Sequence, residues 1–237
     1  MTVGVILPGY NVGRHLEQVV ADIRALHPDM RILVVDDGSA DDTSEVARRC
    51  GVDLEVHDPN RGKGAALATG FAWAVREQLE WVFTMDADGQ HLPAEMAGFL
   101  AAAERDNLDV VVGNRMDARG DMPWLREQTN LFTSWVVSRL AGVSIPDSQN
   151  GYRLLRVSWL EGLVLKTTRY DTESEVLVRL ARRGCRVGSA PVTTVYGDEK
   201  SSINPFVDTG RFFRLVAILL MSRREPRTTA AQGTPTP

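Results

Sequence analysis

Two carboxylates one residue apart, Asp86 and Asp88, end the apolar run Trp81-Val82-Phe83-Thr84-Met85 and lead into Gly89-Gln90-His91. Oxygen donors at this spacing suit a hard divalent cation, which fills the rest of its shell with water or substrate phosphate. The competing reading is a solvated loop whose acids complement the positive end of the helix that follows Pro93. A second apolar stretch, Arg31 to Val35, also ends in acids, Asp36 and Asp37, before the turn at Gly38-Ser39. Asp42 and Glu45 have the spacing of a helix N-cap and its N3 partner, so capping accounts for Asp42. Asp36 and Asp37 precede the turn and have no such role. Between the two acid pairs lies Asn60-Arg61-Gly62-Lys63-Gly64, whose glycines permit close backbone approach to a ligand at a helix N-terminus, where anions are favoured. The spacing of Lys63 is not that of a phosphate-binding Walker loop, and Leu67 stands where a dinucleotide fingerprint needs glycine.

The elements that must carry these residues are legible from periodicity. Val3 to Leu7 reads as a buried strand broken by Pro8-Gly9, and His15 to Leu26 as a helix with Leu16, Val19, Val20, Ile23 and Leu26 on one stripe. Strands are expected at Arg31 to Val35, Val52 to His57 and up to Met85. Short helices end near Cys50 and Gln78. The first ninety residues therefore alternate strand and helix four times, which predicts a parallel sheet covered on both faces, with the acids at its carboxyl rim. Beyond it come a helix from Pro93 to Ala103, a strand from Asp109 to Gly113, a helix from Arg126 to Leu140, a polar turn from Asp147 to Arg153, a helix from Tyr170 to Arg183 and an extended stretch from Arg186 to Val195.

With 43% hydrophobic and 24% charged residues, the 237-residue chain has the composition of a globular domain with a substantial core. A net charge of -4 argues against a nucleic-acid partner, whose phosphates demand a basic face. Cys50 and Cys185 fit neither a disulfide framework nor a zinc spacing, which points to a reducing, cytoplasmic setting. No stretch has the length of a membrane span, and the start lacks a basic leader.

Pro8 and Asn11 after the first strand, Asp36-Asp37-Gly38-Ser39 after the second, Gly62-Lys63-Gly64, and Asp86-Ala87-Asp88-Gly89-Gln90-His91 after the fourth resemble family 2 glycosyltransferases of the GT-A fold, in particular the dolichyl- and polyprenyl-phosphate sugar synthases. Downstream, Asp147, Gly151-Tyr152-Arg153 and Tyr196-Gly197 with Lys200-Ser201 resemble that subgroup's acceptor-side elements, so the resemblance reaches to about Arg214. It implies an α/β, GT-A-like domain over residues 1–224, with a mostly parallel sheet between helices; the Thr-, Ala- and Pro-rich composition at 225–237 predicts a disordered tail. The resemblance also implies an inverting hexosyltransferase that uses Mg2+ or Mn2+ and moves sugar from a nucleotide diphosphate sugar to a polyprenyl phosphate by direct displacement. Asp37 would contact the base or ribose, Pro8, Tyr10 and Asn11 would shape the same pocket, and Gly62, Lys63 and Ala87 would lie beside the nucleotide. Asp86, Asp88 and Gln90 would face the metal and the donor diphosphate.

Transfer to a sugar hydroxyl needs a general base, whereas a lipid phosphate is already an anion and needs cationic positioning. Arg115, Arg153 and Lys200 match the positions of such cations, the alternative being solvated or locally paired side chains. The base candidates are Asp147, which could instead orient Arg153, and Glu173 and Glu175, for which helix-dipole and capping-box roles with Thr172 suffice. Two alternatives accompany this reading. One is a family 2 enzyme acting on a hydroxyl of a cell-envelope glycan or glycolipid. The other is a sugar nucleotidyltransferase, which would carry a glycine-rich basic loop where Pro8-Gly9-Tyr10-Asn11 stands. A final helix near 206–222 has Phe212, Phe213, Val216, Leu219 and Leu220 bracketed by Arg211, Arg214, Arg223 and Arg224. It suits either a peripheral position among headgroups at the inner face of the membrane or a core helix with solvated ends.

Overall fold

A computed structural model describes residues 1–116, 124–193 and 205–222. Seven strands form one sheet in the order β3-β2-β1-β4-β6-β5-β7. The strands are β1 (Val3–Gly9), β2 (Arg31–Asp36), β3 (Asp53–Val56), β4 (Trp81–Thr84), β5 (Val110–Asn114), β6 (Arg153–Arg156) and β7 (Val187–Pro191). The helices between them are α1 (Gly13–Leu26), α2 (Thr43–Arg49), α3 (Lys63–Arg76), α4 (Met96–Arg105), α5 (Trp124–Ala141), α6 (Asp171–Arg183) and α7 (Pro205–Met221). The mixed α/β architecture with a mostly parallel central sheet is as the sequence implies.

Successive residues of each central strand feed opposite layers. Ile6, Leu33, Val35, Val82 and Val112 join Phe71 and Trp73 in one core, while Val5, Leu7, Val34, Phe83 and Phe99 join Leu16 and Val20 in the other. Both faces being covered, the strands read as continuous apolar runs rather than alternations. Gly70 lets α3 close onto β1, because a Cβ there would collide with the Ile6 side chain.

β6 is a strand that the sequence reading did not mark, beginning at the last residue of the expected polar turn from Asp147 to Arg153. Arg153 to Arg156 run antiparallel between β4 and β5, with Phe83 opposite Leu154 and Val111 opposite the same residue. Its four residues are too few to announce a strand by periodicity, and its buried Arg153 breaks the apolar pattern. The insertion has a consequence for the site: it brings Gly151 and Tyr152 against the end of β4, where Thr84 Oγ1 donates to Gly151 O at 2.7 Å.

After β1 the chain crosses to β2 on one side, and after α3 it returns to β4 on the other. The carboxyl ends of β1 and β4 therefore flank the switch point where sheets of this kind open a crevice. The last helix, Pro205–Met221, buries Leu215 and Leu219 on one face while Phe213, Leu220 and Met221 stay exposed. Arg182 of α6 donates to Leu140 O of α5 at 3.0 Å and to Leu219 O of α7 at 2.7 Å, tying both peripheral helices to one guanidinium. Among the described residues no helix is long and apolar enough to cross a membrane. The tail expected at 225–237, with Arg223 and Arg224, lies outside the described residues.

Candidate active site

A cleft of about 580 Å³ opens at the switch point, and Asp37, Asp86 and Asp88 all line it, as do Pro8, Tyr10, Gly62, Lys63 and Ala87. Asp37 follows β2 and is buried beneath the Asn60–Gly62 loop. Its carboxylate accepts the backbone N–H groups of Arg61 at 2.9 Å and Gly62 at 2.7 Å, and its Oδ1 lies 2.7 Å from His57 Nδ1. Asn60 donates its amide to the Asp37 carbonyl at 2.7 Å. Asp37 thus holds in place the loop that delivers Lys63. Asn11, at φ 55°, joins the loop after β1 to the turn after β2: its Oδ1 accepts from Ala40 N at 2.8 Å and its N–H donates to Ser39 Oγ at 2.9 Å. Asp36 is structural, accepting from Ser39 N and Ser44 Oγ.

Some local roles differ from expectation. Asp42 makes no side-chain cap of α2. Asp41 accepts from Thr43 N at 3.0 Å and Thr43 Oγ1 at 2.5 Å instead, and it also takes Gly13 N at 3.1 Å, so it binds two helix starts at once. Gly62 and Gly64 admit chain rather than ligand alone: a Cβ on Gly62 would strike Thr168 O, and one on Gly64 would strike the Thr172 hydroxyl. Gly64 N donates to Thr168 O at 2.9 Å, which seats the segment before α6 on the start of α3.

That segment supplies the next partner. Lys63 Nζ lies 2.5 Å from Asp86 Oδ1 and 3.0 Å from Glu173 Oε1. Burial alone would depress the Lys63 ammonium, yet the two carboxylates hold it above the ordinary lysine range. Burial alone would likewise raise Asp86, but the Lys63 ammonium beside it brings its carboxyl below the usual value. Gly151 closes the group from behind, where a Cβ would sit 2.9 Å from Glu173 Oε1 and 3.2 Å from both Asp86 Oδ2 and Lys63 Nζ. The loop beyond is braced by Gln90 N donating to Asp88 Oδ1 at 3.0 Å and Asp86 N donating to His91 Nδ1 at 3.1 Å. With Nδ1 accepting, the proton of neutral His91 sits on Nε2, and burial favours that neutral form. Gln90 itself does not line the cleft.

The residues expected at the acceptor are arranged differently from one another. Asp147, fully buried, receives a bidentate pair from Arg115, Nε to Oδ2 at 2.7 Å and Nη2 to Oδ1 at 2.9 Å. It orients Arg115 rather than Arg153. Arg153, 2% exposed, donates to three carbonyls: Asn150 at 2.9 Å, Ser148 at 3.0 Å and Glu173 at 2.6 Å. Enclosed in this way, it braces the turn before β6 against α6 and does not line the cleft. Glu175 does not form a capping box. Its carboxylate accepts from Lys166 N, Thr167 N, Thr167 Oγ1 and Arg179 Nε at 2.6 to 3.0 Å. Lys200, Tyr196, Gly197 and Ser201 lie outside the described residues.

Residues 4–164 match the family model described as glycosyl transferase family 2. The chain belongs to that family. The glycosyltransferase is 32% identical over 205 residues to polyprenol monophosphomannose synthase of Mycolicibacterium smegmatis, covering 80% of this chain and 76% of that one. Undecaprenyl-phosphate mannosyltransferase of Micrococcus luteus is 31% identical over 216 residues, 85% of this chain and 88% of that one. Among solved structures, mannosyl-3-phosphoglycerate synthase of Rubrobacter xylanophilus superposes with a TM-score of 0.69 at 19% identity, covering 96% of this chain and 78% of that one. Glucosyl-3-phosphoglycerate synthase of Mycobacterium tuberculosis, solved with Mn2+, UDP and glucosyl-3-phosphoglycerate, gives 0.66 at 18% identity, over 96% and 81% of the two chains. These likenesses establish the GT-A fold.

The glycosyltransferase's cleft also contains residues that sequence reasoning passed over. Arg169 and Tyr170, at the entry to α6, and Arg211 of α7 line it, and the Lys63 ammonium lies 5.9 Å from the Tyr170 ring centroid. The glycine pair at 62 and 64 was a signal for the first of these, since what Gly62 admits is the Thr168 carbonyl and the Arg169 side chain. Asp86 and Asp88 offer only oxygen donors, and the missing Cβ of Gly151 leaves room beside Asp86 Oδ2. That set fits a hard divalent cation. No group of three or more His, Cys, Asp or Glu among the described residues is arranged for a metal, so such an ion would complete its shell with water and donor phosphates.

Proposed function

We propose that this glycosyltransferase moves a hexose, with inversion, from a nucleoside diphosphate sugar to a polyprenyl phosphate, using Mg2+ or Mn2+. One observation carries the choice of acceptor. The three carboxylates that the sequence offered as base for a sugar hydroxyl are each occupied: Asp147 by Arg115, Glu173 by Lys63 and Glu175 by the 166–167 backbone. Arginines 169 and 211 line the cleft. An acceptor that arrives as an anion needs the second provision and not the first. The names of relatives about 30% identical along most of the chain agree with it.

In this reading the nucleotide lies along Pro8, Tyr10 and the Asp37-supported loop, with its diphosphate toward Lys63, Asp86 and Asp88. Bound by the two aspartates, the cation would supply positive charge against the departing diphosphate. Lys63 adds a further positive charge on the same side, and the acceptor phosphate oxygen displaces the nucleotide from the anomeric carbon. Arg169 and Arg211, which line the cleft, position the phosphate. The exposed Phe213, Leu220 and Met221 of α7, with Phe132 and Trp135 of α5, would rest among lipid headgroups at the cytoplasmic membrane face.

A second reading, transfer to a hydroxyl, is favoured by Asp171. Its Oδ1 is buried without a hydrogen-bond partner, and burial pushes its carboxyl up, as a base would require. Incubation with labelled UDP- and GDP-sugars and undecaprenyl phosphate decides between them. An alkali-labile labelled lipid supports the first reading, and label transferred solely to a sugar hydroxyl overturns it.

A further inference from the structure

Lys63 occupies a position that the proposed cation must contest. Its ammonium sits on Asp86 Oδ1 at 2.5 Å while also touching Glu173 Oε1 at 3.0 Å. The lysine is anchored on both sides: it begins α3, and the Asp37 carboxylate grips the two preceding N–H groups. Glu173 is equally fixed, since its own carbonyl receives Arg153 Nη1 at 2.6 Å. Gly151 supplies the wall, and no backbone change is needed for the ammonium to swing between the two acids. A lysine side chain is a flexible point charge and suits such an exchange better than a planar guanidinium would.

We infer that Lys63 is an exchangeable counter-ion: it neutralises Asp86 while the cleft is empty, and yields that carboxylate to the divalent cation when the donor diphosphate arrives, remaining attached to Glu173. The inference rests on the metal-dependent reading above and adds to it a coupling between ligands. A cation binding alone must displace an ammonium from Asp86. A diphosphate draws the ammonium toward itself and removes that obstacle, so metal and nucleotide each strengthen the other's binding by the same factor. Glu173, which sequence reasoning assigned to the helix dipole, becomes the residue that sets how readily Lys63 departs.

The test measures Mn2+ binding to the full-length protein by electron paramagnetic resonance, without nucleotide and with saturating UDP or GDP. Without nucleotide, K63M is expected to bind Mn2+ about tenfold more tightly than wild type, and its gain from nucleotide to shrink accordingly. E173Q, which leaves Lys63 with Asp86 as its single carboxylate, is expected to bind Mn2+ several-fold more weakly. Opposite signs separate the exchange from damage to the site, which would weaken both variants; circular dichroism confirms folding of each. K63M that folds and binds Mn2+ no more tightly than wild type overturns the inference, as does E173Q that binds it more tightly. If wild type binds no Mn2+ even with both nucleotides, the metal-dependent reading itself fails, and the inference with it.

Discussion

Replacing Gly151 with alanine adds one methyl group where three charged side chains meet. Its Cβ would stand 2.9 Å from Glu173 Oε1 and 3.2 Å from Asp86 Oδ2 and Lys63 Nζ, against an ordinary contact of at least 3.4 Å. Glu173 must therefore retreat by about 0.5 Å and the other two by about 0.2 Å. Because each clash involves the end of a flexible side chain, the stability cost falls at the low end of overpacking, about 1 kcal/mol, which lowers the melting temperature by about 2–4 °C in a domain of this size. Catalysis is less forgiving. A misplacement of ~1 Å costs about a hundredfold in rate, so a shift of half that distance in the group around Asp86 should cost about tenfold. The assay pairs initial rates of sugar transfer with thermal unfolding of the same preparation. A variant that retains a wild-type rate would refute the role given to this group, and one that loses about 10 °C or more would show that Gly151 is required for packing instead.

Asp88→Ala should abolish transfer while the melting temperature shifts by less than about 2 °C, because Asp88 sits on a loop whose backbone is braced by His91 as well. Asp171→Asn should leave transfer to a lipid phosphate within about threefold of wild type, whereas loss of a general base would cost about a hundredfold or more; the rate measured with undecaprenyl phosphate tells these apart. Glu175→Ala removes the acceptor of four donors from a carboxylate with no exposure and should cost about 3 kcal/mol, read as a fall of roughly 6–12 °C in melting temperature. Burial alone would raise the Asp109 carboxyl, but the N–H and guanidinium of Arg186 hold it below its unfolded value of 3.8. Its stabilising effect is therefore complete above that pH and lost as pH falls through the lower, folded value. Asp109→Asn should accordingly be less stable than wild type at pH 7, and the difference should shrink as pH falls below 3.8 in denaturant titrations.

The half of the molecule that carries the acids of the cleft was readable because its signals are short-range. Apolar runs such as Arg31 to Val35 end in acids, and each acid emerges where the strand does. The other half resisted for a different reason. β6 lies between β4 and β5 because of pairings more than forty residues away, and nothing local distinguishes Arg153-Leu154-Leu155-Arg156 from a loop. The same distance hid the fate of individual side chains. Arg153 carries the chemistry of a phosphate ligand, yet three carbonyls from the turn and α6 take three of its five N–H donors and enclose it. Asp147 has the appearance of a base and is instead the seat of Arg115. Sequence spacing could place Glu173 in the first turn of α6, but it could not reveal that this turn meets Lys63.

The geometry of α6 has a mechanical corollary. Its thirteen residues make a rod about 20 Å long. One end bears the carboxylate that grips Lys63, and the other bears the guanidinium that clasps α5 and α7. Pulling α7 away from the sheet must either rupture its bond to Arg182 or drag the rod along its axis, carrying Glu173 with it.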